Sequence, residues 1–222
     1  MNNEMAKKLL FEIQDILDKV DLKFWFLHGT CLGAWRDKNF IKNDKDIDLG
    51  IKFEDFIPKA EILEKEFLSN KFRISVAYLF YNYKNFEKSF KKKNGLNTFP
   101  FQLLIEKYGE RASIFAYDLI DEKRFLLLNY KEECARVFDA TMFENLKEID
   151  FLGRKFLIPN ETEKYLDYEY GKGYGKGFGK GWRTPYYNPE ITARGSIVKD
   201  FWQVYGKKII ANECKKKGKK LI

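Results

Sequence analysis

The stretch G-T-C-L-G-A-W-R-D-K-N-F-I-K-N-D-K-D-I-D-L-G, residues 29–50, decides how this chain is read. Asp44, Asp46 and Asp48 alternate with Lys45 and Ile47, and on a strand of period two such residues project from one face. Three like charges on one face repel. A row of this kind suits a hard divalent cation held through oxygen ligands, and Mg2+ typically takes one or two carboxylates together with substrate phosphates. The expectation is phosphate chemistry.

Upstream, L-K-F-W-F-L-H at 22–28 is aromatic and apolar and ends at Gly29, which predicts a buried strand. Gly29 and Thr30 then open a short segment, C-L-G-A-W-R, that turns helical. A strand, a Gly-Thr turn and a helix N-terminus direct backbone N–H groups and the Thr30 hydroxyl at an anion. Acidic alternation also occurs on exposed strands, and Gly-Thr pairs are common. It is the two elements together, at this spacing, that point to function.

Size and composition narrow the classes. A chain of 222 residues with 17% aromatic content buries a sizeable core in one compact domain. The formal charge of +8 is uneven, because residues 206–222 hold seven lysines against Glu213 while the body is close to balanced. The reading is a single domain over 1–205 followed by a basic tail over 206–222. No apolar run approaches the ~20 residues needed to cross a bilayer, and charges interrupt the apolar N-terminal stretch, unlike a secretory signal. A cytoplasmic protein is expected. Cys31, Cys134 and Cys214 lack C-x-x-C spacing, so they indicate neither a disulfide framework nor zinc. His28 is the only histidine; it reads as structural or phosphate-contacting, which leaves catalysis to carboxylates.

Residues 29–48 resemble the LicD/fukutin family of the nucleotidyltransferase-like superfamily, which carries G-T-x-L-G-x-x-R followed by D-x-D-[IV]-D. The matching residues are Gly29, Thr30, Leu32, Gly33, Arg36, Phe40, Ile41, Asp44, Asp46, Ile47 and Asp48. A second block, F-L-G-R-K-F-L-I-P at 151–159 with Glu163–Leu166, Tyr170 and Gly171, matches in the right order. The family places a third aspartate between the blocks in a hydrophobic-Asp-hydrophobic setting. Asp118 in I-F-A-Y-D-L-I fits best, with Asp121 and Asp139 as alternatives. Asn43 replaces the tryptophan usual before the first aspartate, and Gly171 and Trp182 are separated by an inserted K-G-Y-G-K-G-F-G-K-G.

The resemblance implies an α+β fold with a nucleotidyltransferase-like core, a mixed β-sheet with helices packed against it. It also implies transfer of a phosphorylated alcohol, phosphocholine or an alditol phosphate, from a CDP-linked donor to a hydroxyl of a glycan or lipid-linked saccharide, releasing CMP. In that reading Asp46, Asp48 and Asp118 are catalytic and hold Mg2+, or Mn2+ in its place, with Asp44 as a further ligand or neighbour. Gly29, Thr30, Arg36, His28, Lys45 and Trp182 contact substrate, Arg36 having a structural ion pair as its alternative. Two other readings are transfer of a nucleotide from a triphosphate, and a non-catalytic polyanion- or glycan-binding protein. Nucleic acid is not expected as a partner.

Along the rest of the chain, Leu9, Leu10, Ile13, Ile16, Leu17 and Val20 predict an amphipathic helix over 4–20. Another is predicted over 54–70. Strands are predicted at 46–52, 72–80, 99–107, 112–120 and 124–130, with helical turns at 141–145 and 161–170 flanking a strand pair around Gly153. Lys84–Asn97 reads as a solvated basic surface. The Gly-Lys-aromatic repeat of 170–182 reads as a loop, either a lid over a diphosphate or glycan or a plain surface insertion. Val198, Phe201, Trp202 and Tyr205 share one helical face ahead of the lysine cluster. That face either docks on the domain or meets an anionic membrane, at about 1 kcal/mol per basic residue near the headgroups.

Overall fold

The computed structural model describes residues 1–42, 44–80, 98–120, 122–129, 134–170, 192–194 and 203–210. Asn43, the Lys84–Asn97 stretch, Asp121, the repeat with Trp182, and residues 198–202 and 211–222 lie outside them.

Helix α1 (Asn3–Lys19) starts where the Asn2 side chain accepts the backbone N–H groups of Glu4 and Met5, satisfying donors that the helix itself leaves unpaired. Its buried stripe is Ala6, Leu9, Leu10, Ile13, Ile16 and Leu17, the spacing of one helical face. Strand β1 (Phe24–Phe26) follows, then α2 (His28–Leu32), which continues into a π-helical turn, Gly33–Asp37. Strand β2 (Ile47–Lys52) leads to α3 (Phe53–Phe56), a 3-10 turn at Ile57–Lys59 and α4 (Ala60–Ser69). The helix expected over 54–70 is thus broken into three, with Pro58 in the middle piece, where its missing N–H removes a helix hydrogen bond.

Four long strands come next: β3 (Arg73–Phe80), β4 (Thr98–Lys107), β5 (Glu110–Ile120) and β6 (Lys123–Asn129). After β7 (Cys134–Asp139) and a 3-10 turn (Ala140–Phe143), the hairpin of β8 (Leu146–Phe151) and β9 (Arg154–Pro159) turns at Gly153. Gly153 has a φ of +95° there, a conformation open to glycine. Helix α5 (Thr162–Tyr170), β10 (Thr192–Arg194) and β11 (Gln203–Ile210) complete the described elements.

The main sheet runs β10-β7-β6-β5-β4-β3-β11, and β2 joins it by pairing with both β1 and β5. The β2–β5 pair is parallel while the other pairs are antiparallel, so the sheet is mixed. Helix α1 lies against β5, and α4 against β3. The fold is therefore the expected α+β arrangement of helices on a mixed sheet.

One expectation is corrected at the C-terminal end. Tyr205 lies on β11 and not on a helix, and that strand pairs with β3.

Parallel pairing sets the faces that matter. Ile47, Leu49 and Ile51 stand beside Ala112, Ile114 and Ala116, all buried. Asp48, Gly50 and Lys52 stand beside Ser113, Phe115 and Tyr117 on the opposite face. On β1, Trp25 is opposite Gly50, and a Cβ at Gly50 would come within 2.6 Å of the buried indole. Glycine is required there by close approach. Trp25 in turn stacks on Phe143 with ring centroids 5.1 Å apart, which closes the core beneath this face.

Candidate functional site

The site is built where β1 meets α2. His28 adopts a φ of +43°, so the chain turns sharply out of the strand and into the helix. Its N–H donates to the Tyr165 hydroxyl at 3.0 Å. The Leu27 N–H donates to the Asp48 carbonyl at 3.0 Å, and the Asp48 N–H donates to Thr30 Oγ1 at 2.9 Å. Both backbone polar groups of Asp48 are therefore held by the turn. Thr30 acts first as the anchor of Asp48, with its own hydroxyl proton left to donate.

Only Asp48 lies on β2. Asp44 and Asp46 precede the strand, so the row is presented by an irregular segment running into it, a correction to the extended geometry expected. The three carboxylates still share a field. The Asp48 carboxyl is pushed up to about 7 by burial, with Asp46 and Asp44 adding to the rise and His28 and Arg111 opposing it. Asp44 is raised as well, chiefly by burial. Its Oδ2 lies where a Cβ on Gly29 would be, 2.4 Å from that position. Gly29 thus makes room for the first aspartate, and Asp44 Oδ1 accepts the Lys45 N–H at 2.9 Å.

Arg111 approaches Asp46 Oδ2 at 3.4 Å. Arg36, expected to offer a positive fork here, instead grips its neighbour Asp37 through two bonds of 2.6 and 2.7 Å. The structural alternative for Arg36 is the one observed. His28 Nδ1 lies 3.1 Å from Glu169 Oε2, and Glu169 is buried. Lys45 is exposed. Arg111, Tyr165 and Glu169 were not anticipated, since they reach the site from β5 and α5 through pairing and packing that no local pattern encodes.

The register puts Ser113 beside Asp48, and the Asp118 backbone lies five residues further along β5, about 16 Å at the usual strand rise. Asp139 pairs with Lys123, which pairs with Ile120, further still along the same end. The position beside Asp48 is held by a buried serine.

Among the described residues, no three His, Cys, Asp or Glu side chains form a set able to hold a metal ion. Two carboxylates suffice for Mg2+ when substrate phosphates and water complete its shell. Asp46 and Asp48 fit that role, Asp46 adding to the rise that burial gives the Asp48 carboxyl. The residues therefore suit a cation that arrives with a phosphate, and not a closed protein cage.

A separate cleft of about 620 Å³ is lined by Trp35, Lys147, Asn160, Lys164 and Asp167 among others, and shares no lining residue with the aspartate cluster. Cys31 is fully buried, and burial pushes its thiol well above the reactive range. No helix among the described residues is long and apolar enough to cross a membrane.

The family model described as LicD/FKTN/FKRP, nucleotidyltransferase domain, matches residues 21–161. The human ribitol-5-phosphate transferase FKTN is 43% identical over 58 residues, 26% of this chain and 12% of that protein. An uncharacterized Rickettsia prowazekii protein is 39% identical over 56 residues, 25% of this chain and 21% of its own length. The matched segment is thus a small part of these relatives. Among solved structures, the antibiotic-resistance factor ANT(2'')-Ia aligns with 76% of this chain and 71% of its own, at 15% identity and a TM-score of 0.45.

Two predictions follow from the geometry. The native Asp48 carboxyl titrates at about 7 against an ordinary 3.8, so protonation favours the folded state. The stability tied to this group is complete below the ordinary value and is lost as pH rises through 7. Without divalent cation, Asp48→Asn is expected to raise unfolding free energy at pH 8 by about 1–3 kcal/mol and to change little at pH 4. Urea denaturation at both pH values checks this, and no gain at pH 8 contradicts it. Second, Asp118→Asn is expected to bind Mn2+ as the wild type does in calorimetry, while Ser113→Asp binds it more tightly. Loss of Mn2+ binding in Asp118→Asn would overturn the register argument.

Proposed function

The chain belongs to the LicD/FKTN/FKRP nucleotidyltransferase-domain family, and from that membership we propose that it transfers a phosphorylated alcohol from a CDP-linked donor to a hydroxyl of a glycan. The observation that carries the reading is the pair Asp46 and Asp48, fixed beside the Gly29–Thr30 turn by the Thr30–Asp48 hydrogen bond. A diphosphate is the ligand this arrangement suits. Donors from the turn would meet its oxygens, and Asp46 and Asp48 would hold a cation that offsets the diphosphate's charge.

In the proposed reaction, an acceptor oxygen attacks the phosphorus that bears the alcohol, the bond to the bridging oxygen breaks, and CMP leaves with that oxygen. Mg2+, or Mn2+, held by Asp46 and Asp48 supplies charge neutralisation at the diphosphate. This chain's own groups do the rest. The turn orients the phosphates and the buried core beneath Trp25 keeps the carboxylates in place. The acceptor's proton needs a receiver on the same face. The Asp118 backbone stands about 16 Å along β5 from the position beside Asp48, so this reading assigns the role to His28, whose Nδ1 faces Glu169. The donor's alcohol and the acceptor saccharide are set by pocket walls; phosphocholine, glycerol phosphate and ribitol phosphate are the classes to test. A peripheral contact with anionic membrane through the lysines of the C-terminal segment, and a cytoplasmic site of action, belong to the same proposal.

The test is calorimetry with CDP-choline, CDP-glycerol, CDP-ribitol and nucleoside triphosphates, each with and without Mg2+, followed by product analysis. A CDP-specific, Mg2+-dependent response with CMP released is expected, and Asp46→Ala and Asp48→Ala are expected to lower turnover by at least about 1,000-fold while remaining folded. A response to triphosphates with pyrophosphate released would favour nucleotide transfer instead. Normal turnover in either variant would refute the site.

A further inference from the structure

Arg111 lies at the mouth of the aspartate cluster, and its surroundings give it two partners to choose between. It is the first described cation on β5, level with the residue before Ile47, because Ile47 pairs with Ala112. Its side chain is 46% exposed and reaches Asp46 Oδ2 at 3.4 Å. Across the antiparallel pair it stands beside Glu106. Glu106 is already engaged by Arg73 at 3.2 Å, on the neighbouring strand where the two residues are register partners. The result is a row of alternating charge, Asp46, Arg111, Glu106, Arg73, running from the segment ahead of β2 across β5, β4 and β3. Arg111 is the member whose acid is also a proposed cation ligand.

A divalent cation and a guanidinium compete for the same carboxylate oxygen. The cation carries twice the charge, and an exposed ion pair is weak, so the cation displaces the arginine. The displaced guanidinium then stands within a few ångströms of a doubly positive ion and is pushed from it. A diphosphate bridged to that ion presents oxygens that accept two parallel N–H bonds from a guanidinium. Resting on the reading of the site given above, we propose that Arg111 holds two positions in turn: it neutralises Asp46 in the empty protein and moves onto the donor's diphosphate once a divalent cation takes Asp46. Arg111 is thus the positive fork of the site, the role that Arg36 leaves open by pairing with Asp37.

Removing Arg111 then moves two affinities in opposite directions. In calorimetry, Arg111→Gln is expected to bind Mn2+ alone about two- to fivefold more tightly, as a competitor is lost, and to bind CDP in the presence of Mn2+ about tenfold more weakly. Arg111→Lys keeps the charge without the fork and is expected to restore wild-type Mn2+ affinity but only part of the CDP affinity. Arg73→Gln removes a charge from the same row, away from Asp46, and is expected to leave both affinities near wild type. The proposal fails if both affinities move the same way in Arg111→Gln, if neither moves, or if Arg73→Gln reproduces both shifts. Wild-type protein that binds Mn2+ but no CDP would refute the phosphotransfer reading and the second position of Arg111. The Mn2+ arm would still show whether Arg111 competes for Asp46.

Discussion

Everything at this site depends on two backbone hydrogen bonds at one residue. Asp48 gives its N–H to Thr30 and its carbonyl accepts from Leu27, so the strand that carries the carboxylate and the Gly29–Thr30 turn cannot shift independently. The alternative, a carboxylate on a free edge, would not stay aligned with a turn built from a different part of the chain. Gly29 and Gly50 serve the same constraint from two sides. The first lets Asp44 lie against the turn, and the second lets the Trp25 ring lie flat beneath the face. Neither position tolerates a Cβ without moving a group that the site uses.

Charge sets the second constraint. Three carboxylates near one buried edge would be unfavourable unless something opposed them, and His28 and Arg111 are the opposing groups that act on Asp48. His28 is tied to Glu169 on α5, so its ring is held in place. Arg111 is half-exposed and pairs with Asp46. The acids are thus opposed by one group held from α5 and one at the surface, an arrangement that suits the exchange proposed above. The position beside Asp48 is a buried serine, so in the proposed site a cation bound weakly to the protein alone is expected to bind more tightly once phosphate oxygens complete its shell.

Much of this was legible in the residues. The stripe of α1 and the strands β2 to β6 follow from periodicity, because each buries one face against a neighbour close in space. The Gly-Thr and aspartate motifs are legible because their spacing is local. Where Asp118 stands relative to Asp48 depends on the register of two strands more than sixty residues apart, and such register is carried by tertiary packing. Arg111, Tyr165 and Glu169 were invisible for the same reason. Leu22–His28 reads as one strand, yet the strand itself is Phe24–Phe26, and after the extended Leu27 the left-handed His28 turns the chain into α2.

The most direct test of the central claim is an anomalous-scattering map from crystals grown with Mn2+ and CDP. The account predicts a Mn2+ peak bonded to carboxylate oxygens of Asp46 and Asp48 and to phosphate oxygens, with Asp118 distant. A peak coordinated by Asp118, or one bonded to neither Asp46 nor Asp48, would contradict it.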